Sequence, residues 1–330
     1  MQKLKKNLNS VSMRLNGKFM PYRAFGSPQY IQIETTSRCN LKCKMCPNSS
    51  DEYYNSKVLK DMTLDEFAFL IGRFPFLKDI ALQGLGEPTM NKQLPEMIGL
   101  CTSKSISTTF VTNALLLIEE LSERIISSGL KHLIVSVDGG EESTFREIRG
   151  GNLAKVLQNL RNFITIKDKT GSRTPNVMVM VVGMKANLKE VPAIVDAIKE
   201  VGVRHLTVKG INTSFNEELK QERLEKKDSE LLREFQASSA ESGVVLDVAI
   251  SPEQDYTNKQ IKCRWPWART YVTVSGDVTP CCHIIDNKHI RLGNLFNESF
   301  ESIWNSRKYS EFRTSVKNKT SPLCKNCPDY

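Results

Sequence analysis

Two hydrophobic periods alternate along this chain. Between about residues 30 and 210, short runs rich in β-branched residues take turns with stretches whose apolar positions return every three or four residues. The short runs are YIQIET, LKDIALQG, ISTTFVTN, KHLIVSVDG, NVMVMVVGM and RHLTVKG, and runs of this length bounded by Gly, Asn or Asp read as strands. The stretches between them, TLDEFAFLIGRF, NKQLPEMIGLC, IEELSERIISSG, NLAKVLQNLRNFITI and LKEVPAIVDAIKEVG, read as amphipathic helices. Asn187 is the expected N-cap of the last helix and Gly202 its end. Six β/α units in series predict an α/β fold with a parallel sheet, curled into a partial (β/α)6 TIM-like barrel.

Parity within the strands says where the chemistry gathers. In HLIVSVD, Leu133, Val135 and Val137 form the apolar set, which leaves Ser136 and Asp138 facing inward. In RHLTVKG, Leu206 and Val208 pack outward and leave Thr207 and Lys209; Gln32, Glu34 and Gln83 are left in the first two strands. Polar groups buried without partners are costly, so a polar cavity at the carboxyl ends of the strands is expected. Beyond the sixth unit, residues 215–242 are highly charged and read as an exposed, broken helix, followed by the strand-like GVVLDVAI. The expected organisation is a basic extension over 1–27, a barrel over 28–250 and a small C-terminal domain over 251–330, a β-hairpin plus helix.

The 330 residues are ample for such a core, and no run is long and apolar enough to predict a transmembrane helix. The basic start lacks the apolar segment of a secretory signal, which points to a reducing, cytoplasmic setting without stable membrane insertion. The net charge of +9 is scattered, with no aromatic-interleaved basic module, so nucleic acid is not an expected partner. Nine cysteines in a reducing setting then read as metal-binding or catalytic.

Eight of those cysteines form two groups, with Cys101 alone between them. Cys39, Cys43 and Cys46 follow the first strand in TTSRCNLKCKMCPNSS. Zinc sites favour paired C-x2-C units, whereas a triplet with a three-residue gap suits three corners of a [4Fe–4S] cube, leaving one iron open. The second group is Cys263, Cys281, Cys282, Cys324 and Cys327, with an SGDV hairpin turn that brings Cys263 and Cys281 together. Four thiolates fit structural zinc or a fully ligated cluster equally well by spacing alone.

The triplet resembles the signature of the radical S-adenosylmethionine (radical SAM) enzymes. Gly84-Leu85-Gly86-Glu87-Pro88 is similar to that family's GGEP motif, departing in its first two positions. The resemblance implies that Gly84, Gly86, Glu87 and Pro88 hold the methionine amino group. It further implies that Asn113, Ser136 and Lys185 contact the ribose or carboxylate, and that Met45 lies by the adenine. The C-terminal segment, with GDVTPCC, LGNLF and SFESIWNS, resembles the SPASM domain. Five cysteines are too few for its two clusters, so the resemblance is to the one-cluster "twitch" form, with Cys263, Cys281, Cys324 and Cys327 as ligands.

What this implies is two [4Fe–4S] clusters, S-adenosylmethionine, and a reducing partner such as flavodoxin or ferredoxin. A 5′-deoxyadenosyl radical then abstracts hydrogen from a small-molecule substrate. Three reactions compete. The favoured one is oxidation of a sugar or aminocyclitol alcohol, as in 2-deoxy-scyllo-inosamine dehydrogenases, with Glu34, Asp138 or Lys209 as base. An epimerase would need a thiol hydrogen donor; no cysteine falls at a barrel strand end, Cys101 ends a helix at the wrong end of the barrel, and Cys282, beside the second cluster, remains the candidate. A peptide-modifying enzyme is disfavoured by the short segment before the barrel, although a short peptide substrate remains allowed.

Overall fold

A computed structural model describes residues 2–16, 22–213, 216–249, 263–284, 289–325 and 327. The expected boundary between barrel and C-terminal domain, at 250/251, lies outside the described residues. The strands are β1 (Tyr30–Ile33), β2 (Asp79–Leu82), β3 (Ser107–Thr112), β4 (His132–Ser136), β5 (Asn176–Gly183), β6 (His205–Gly210), β7 (Val245–Ala249), β8 (Arg269–Val272), β9 (Asp277–Thr279) and β10 (Gly293–Asn294). The first six coincide with the six runs read as strands, and helices follow them as the period change requires. The fold is α/β with a mostly parallel sheet.

The chain divides into two compact units, one of Met1–Arg38, Val58–Thr108 and Lys259–Tyr330, the other of Cys39–Lys57 and Thr109–Asn258. In the first, β1 pairs in parallel with β2 on one side and with β8 on the other, Tyr30 opposite Arg269 and Ile33 opposite Val272. The hairpin of the C-terminal segment is therefore built directly onto the first strand. The turn SGDV closes it as expected: β8 and β9 are antiparallel, with Thr273 N–H donating to the Asp277 carbonyl at 2.9 Å. Gly276 is required there twice over, by a φ of +79° and by the Phe296 ring against its Cα.

In the second unit, β4, β5, β6 and β7 are successive parallel neighbours. Leu133, Val135, Val137, Leu206 and Val208 are all buried, as parity predicted. Gly202, at φ +94°, ends the helix Val191–Glu200.

Asn187 differs from its expected role as a helix cap. Its side chain makes no capping bond. It is fully buried; its amide donates to the carbonyls of Asp138 and Val182, both at 3.0 Å, and its Oδ1 accepts from Met184 N–H at 2.8 Å. Three main-chain groups at the ends of β4 and β5 thus meet one side chain, whose amide donates and accepts together. Asn187→Leu strands all three in the core. It is expected to lower stability by about 2–3 kcal/mol, read as a lower urea midpoint at unchanged slope.

Candidate active site and cluster-binding residues

The cysteine triplet lies in the second unit, in a loop pinned by its own backbone. Cys46 N–H donates to the Cys43 carbonyl at 2.9 Å, and Pro47 opens a 3-10 turn whose Ser49 N–H returns to the Cys46 carbonyl at 2.9 Å. Lys44 N–H donates to the Ile148 carbonyl at 2.8 Å, tying the loop to the helix Glu142–Arg149. Asn48 is fully buried and accepts from Lys57 Nζ at 2.6 Å. Burial pushes the Cys46 thiol up to about 12; the Asn48 N–H opposes this, and the Cys43 and Cys39 sulfurs add to it. The three sulfurs thus repel one another when ionised, a repulsion that a cationic group among them removes.

The Gly84–Pro88 segment belongs to the first unit. A Cβ on Gly86 would lie 2.8 Å from the Arg38 carbonyl oxygen and closer still to that of Thr36. Only glycine permits this approach, and the neighbouring Glu87 N–H uses it to donate to the Arg38 carbonyl at 2.8 Å. Arg38 is itself chelated by Asp61, whose Oδ1 also accepts from Thr36 Oγ1 at 2.6 Å. Glu87 is buried, its Oε1 accepting from Thr89 N–H at 3.1 Å and Thr89 Oγ1 at 2.7 Å, and Pro88 begins the 3-10 turn that follows. Beside Gly84 stand Tyr271 and Glu34. Glu34 accepts from the N–H groups of Leu85 at 3.0 Å and Val274 at 3.1 Å. It thereby joins the ends of β1 and β2 to the turn after β8.

The other sequence-derived candidates are in the second unit. Asn113, buried after β3, accepts from Leu115 N–H at 3.0 Å and donates to Asn40 in the cysteine loop at 2.8 Å. Ser136 is buried at the end of β4. Asp138, wholly buried, forms an ion pair with Arg149 and accepts from Val182 N–H at 2.6 Å. Lys185 is instead at the surface, ion-paired with Glu225 at 2.6 Å, and Lys209 is exposed in β6. Arg149 escaped the sequence reading. It ends a short helix between two glycine-bearing turns, and nothing in that local pattern announces that an arginine eleven residues on reaches back to Asp138.

The C-terminal cysteines gather in the first unit. Cys281 and Cys324 are buried in an apolar cluster with Trp267, Ile284, Phe312 and Val316. Burial drives the Cys281 thiol well up, and Cys282, Cys263 and Cys327 each push it further, so those sulfurs lie within electrostatic reach of it. The turn Cys324-x2-Cys327 is closed by Cys327 N–H donating to the Cys324 carbonyl at 2.9 Å. Cys282 is only partly buried. Among the described residues, no three His, Cys, Asp or Glu side chains are drawn tightly enough to hold a single metal ion. A four-iron cube spreads its ligands over four iron atoms, and the donor set here is thiol throughout. Three clustered thiols in one loop and four in the C-terminal segment fit one open and one closed cluster.

Comparison with known proteins agrees with this chemistry. Residues 33–198 match the family model of the radical SAM superfamily, and 263–328 match SPASM, an iron–sulfur cluster-binding domain. The chain is 25% identical over 322 residues to the tungsten-containing aldehyde ferredoxin oxidoreductase cofactor-modifying protein of Pyrococcus furiosus, covering 91% of this chain and 87% of that one. It is 24% identical over 316 residues to the PqqA peptide cyclase of Bradyrhizobium diazoefficiens, covering 92% and 79%. In fold it is similar to Streptococcus suis SuiB bound to its precursor peptide SuiA, with a TM-score of 0.73 at 15% identity, covering 94% of this chain and 73% of SuiB. Two [4Fe–4S] clusters and S-adenosylmethionine are the cofactors these two domains imply. A parallel α/β fold, an open thiol triplet and a second thiol set in a matching cluster domain thus converge: the chain belongs to the radical SAM superfamily and carries a C-terminal SPASM domain.

Proposed function

We propose that this chain oxidises a secondary alcohol of a sugar or aminocyclitol, with Cys39, Cys43 and Cys46 holding the open cluster and Cys263, Cys281, Cys324 and Cys327 the closed one. When bound, the open cluster and S-adenosylmethionine supply a 5′-deoxyadenosyl radical, and the closed cluster supplies an electron acceptor. Gly84, Gly86, Glu87 and Pro88 receive the methionine amino group, and Asn113 and Ser136 face its ribose and carboxylate; Lys185, paired with Glu225 at the surface, takes no part. The substrate loses a hydrogen atom, an electron and a proton, which together make the two-electron oxidation of an alcohol to a carbonyl. A reducing partner such as flavodoxin or ferredoxin provides the priming electron.

The observation that carries oxidation over epimerisation is the fate of the spare thiols. Seven cysteines assigned as ligands leave Cys101 and Cys282. Cys101 is wholly buried in the last turn of the helix Leu94–Ser103, with its thiol pushed up to about 12 by burial. Such a thiol is withdrawn from a substrate radical, which leaves Cys282, partly buried beside the second thiol set, as the donor an epimerase would have to use. For the proton, Glu34 and Asp138 already accept main-chain N–H bonds, and Asp138 is paired with Arg149. Lys209 has no such commitment among the described residues, and in its neutral amine form it is the favoured proton acceptor.

A peptide substrate is the second reading, favoured by the likeness to a PqqA peptide cyclase over most of both chains. One experiment separates the readings. The reduced enzyme is incubated in heavy water with aminocyclitols and sugars, and separately with short peptides, and 5′-deoxyadenosine and product are measured. Alcohol oxidation predicts one carbonyl product per 5′-deoxyadenosine and no solvent deuterium in it. Deuterium at the reacting carbon without net oxidation would indicate epimerisation, and turnover with peptides alone would establish the second reading. Lys209→Met is expected to slow oxidation by about 10²-fold or more while leaving 5′-deoxyadenosine formation in place.

A further inference from the structure

Arg313 is the one wholly buried arginine among the described residues. It lies on the helix Arg307–Lys317, whose buried face also presents Tyr309, Phe312 and Val316. Its Nε donates to the Pro266 carbonyl at 2.8 Å, three residues beyond Cys263. Its Nη1 and Nη2 are buried and find no hydrogen-bond partner among the described residues. The guanidinium stands 4.4 Å from the Trp304 ring centre and 4.2 Å from that of Tyr309. Burial lowers its pKa to about 10, which leaves it charged at neutral pH.

A cation held this way needs an anion. Two aromatic faces and one neutral carbonyl are weak compensation for removing a full charge from water. Two carboxylates of this C-terminal segment are engaged elsewhere, Glu311 with Arg307 and Asp277 with Arg291. The thiol set packs against the same helix. Phe312 and Val316, on the same helix face as Arg313, pack against Cys281 and Cys324. The Tyr309 hydroxyl feels both Arg313 and the Cys281 sulfur. Four thiolates around a [4Fe–4S] cube leave it net negative, and one unit more so when reduced.

We propose that Arg313 is the counter-charge of the auxiliary cluster, holding its reduction potential up so that the cluster accepts the electron given up by the substrate. This rests on reading Cys263, Cys281, Cys324 and Cys327 as the cluster ligands. A buried cation favours the more negative, reduced form over the oxidised one, and low local polarity keeps the effect unscreened. Arg313 touches neither substrate nor S-adenosylmethionine; it acts through the cluster, and its signature is a potential.

The test uses the full chain carrying Cys39→Ala, Cys43→Ala and Cys46→Ala, so that the auxiliary cluster alone is bound. Its potential is measured by EPR-monitored redox titration, with iron and sulfide counted in each sample. Arg313→Met is expected to keep about four irons per chain and to lower the equilibrium constant for reduction at least tenfold, about 59 mV for one electron. Arg313→Lys, which keeps the charge, is expected to stay within threefold of the parent. An unchanged potential in Arg313→Met with the cluster retained overturns the inference. If Arg313→Met does not retain its cluster, Arg313→Lys decides: a potential within threefold of the parent supports the charge role, and a tenfold fall refutes it. Absence of iron from the parent itself would overturn the ligand assignment instead, before any question about Arg313.

Discussion

Replacing Cys39, Cys43 or Cys46 by Ala removes reductive cleavage of S-adenosylmethionine and takes the iron content from about eight to about four per chain. The expected loss of 5′-deoxyadenosine formation is about a thousandfold or more, ~4 kcal/mol of barrier. The reason lies in the donor set. Three thiols on one pinned loop already repel one another when ionised, and no other cysteine is present in that loop to stand in for a lost ligand. The C-terminal thiols belong to a different set, packed around Trp267, Phe312 and Val316, and their cluster should survive the change. Retained cleavage in all three variants, measured by chromatography of the dithionite-reduced protein, would remove the assignment.

Gly86→Ala is the second large effect. The three atoms nearest the added methyl are main chain, in the carbonyls of Thr36 and Arg38, and main chain does not step aside as a flexible side chain would. The Arg38–Asp61 chelate and the Glu87 N–H bond to the Arg38 carbonyl hold that surface in place. Overpacking of this kind costs about 1–3 kcal/mol. It falls on the segment proposed to hold the methionine amino group. Affinity for S-adenosylmethionine is therefore expected to fall at least ~10-fold, on the scale of 1.4 kcal/mol per decade, with the iron content unchanged. Gly99→Ala is the control. Nothing lies within 4 Å of its added methyl inside the helix Leu94–Ser103, so it should raise stability by about 0.5–1 kcal/mol. Equal binding by Gly86→Ala and the parent, measured by calorimetry on the anaerobic protein, would contradict this.

Much of this was legible in the chain because it depends on period or spacing. Strand parity marked Leu133, Val135, Leu206 and Val208 as buried, since alternation is a property of each strand alone. The Ser275–Val278 turn announced its hairpin through Gly276 for the same local reason. What escaped is long-range. The parallel pairing of β8 with β1 joins residues more than two hundred positions apart, and neither strand's composition specifies its partner. The bond between Asn187 and the Asp138 carbonyl likewise depends on how β4 and β5 end together, so a residue that looks like a cap becomes an internal brace. Lys185 follows the same logic: the resemblance implies a cofactor contact, but Glu225 claims its ammonium at the surface. Arg149 and Arg313 gain their meaning only from burial, which no single-residue pattern encodes.

In the proposed reading, the first cysteine group lacks a fourth ligand so that the amino and carboxylate groups of S-adenosylmethionine would fill that position. Electron–nuclear double resonance tests it directly, on protein lacking the auxiliary cluster through Cys263→Ala and Cys281→Ala. The reduced sample is mixed with S-adenosylmethionine isotopically labelled at its amino nitrogen. A hyperfine coupling between the label and the cluster spin is the predicted result. A cluster that is present and reducible, with the cofactor bound but no coupling to the labelled nitrogen, would contradict it.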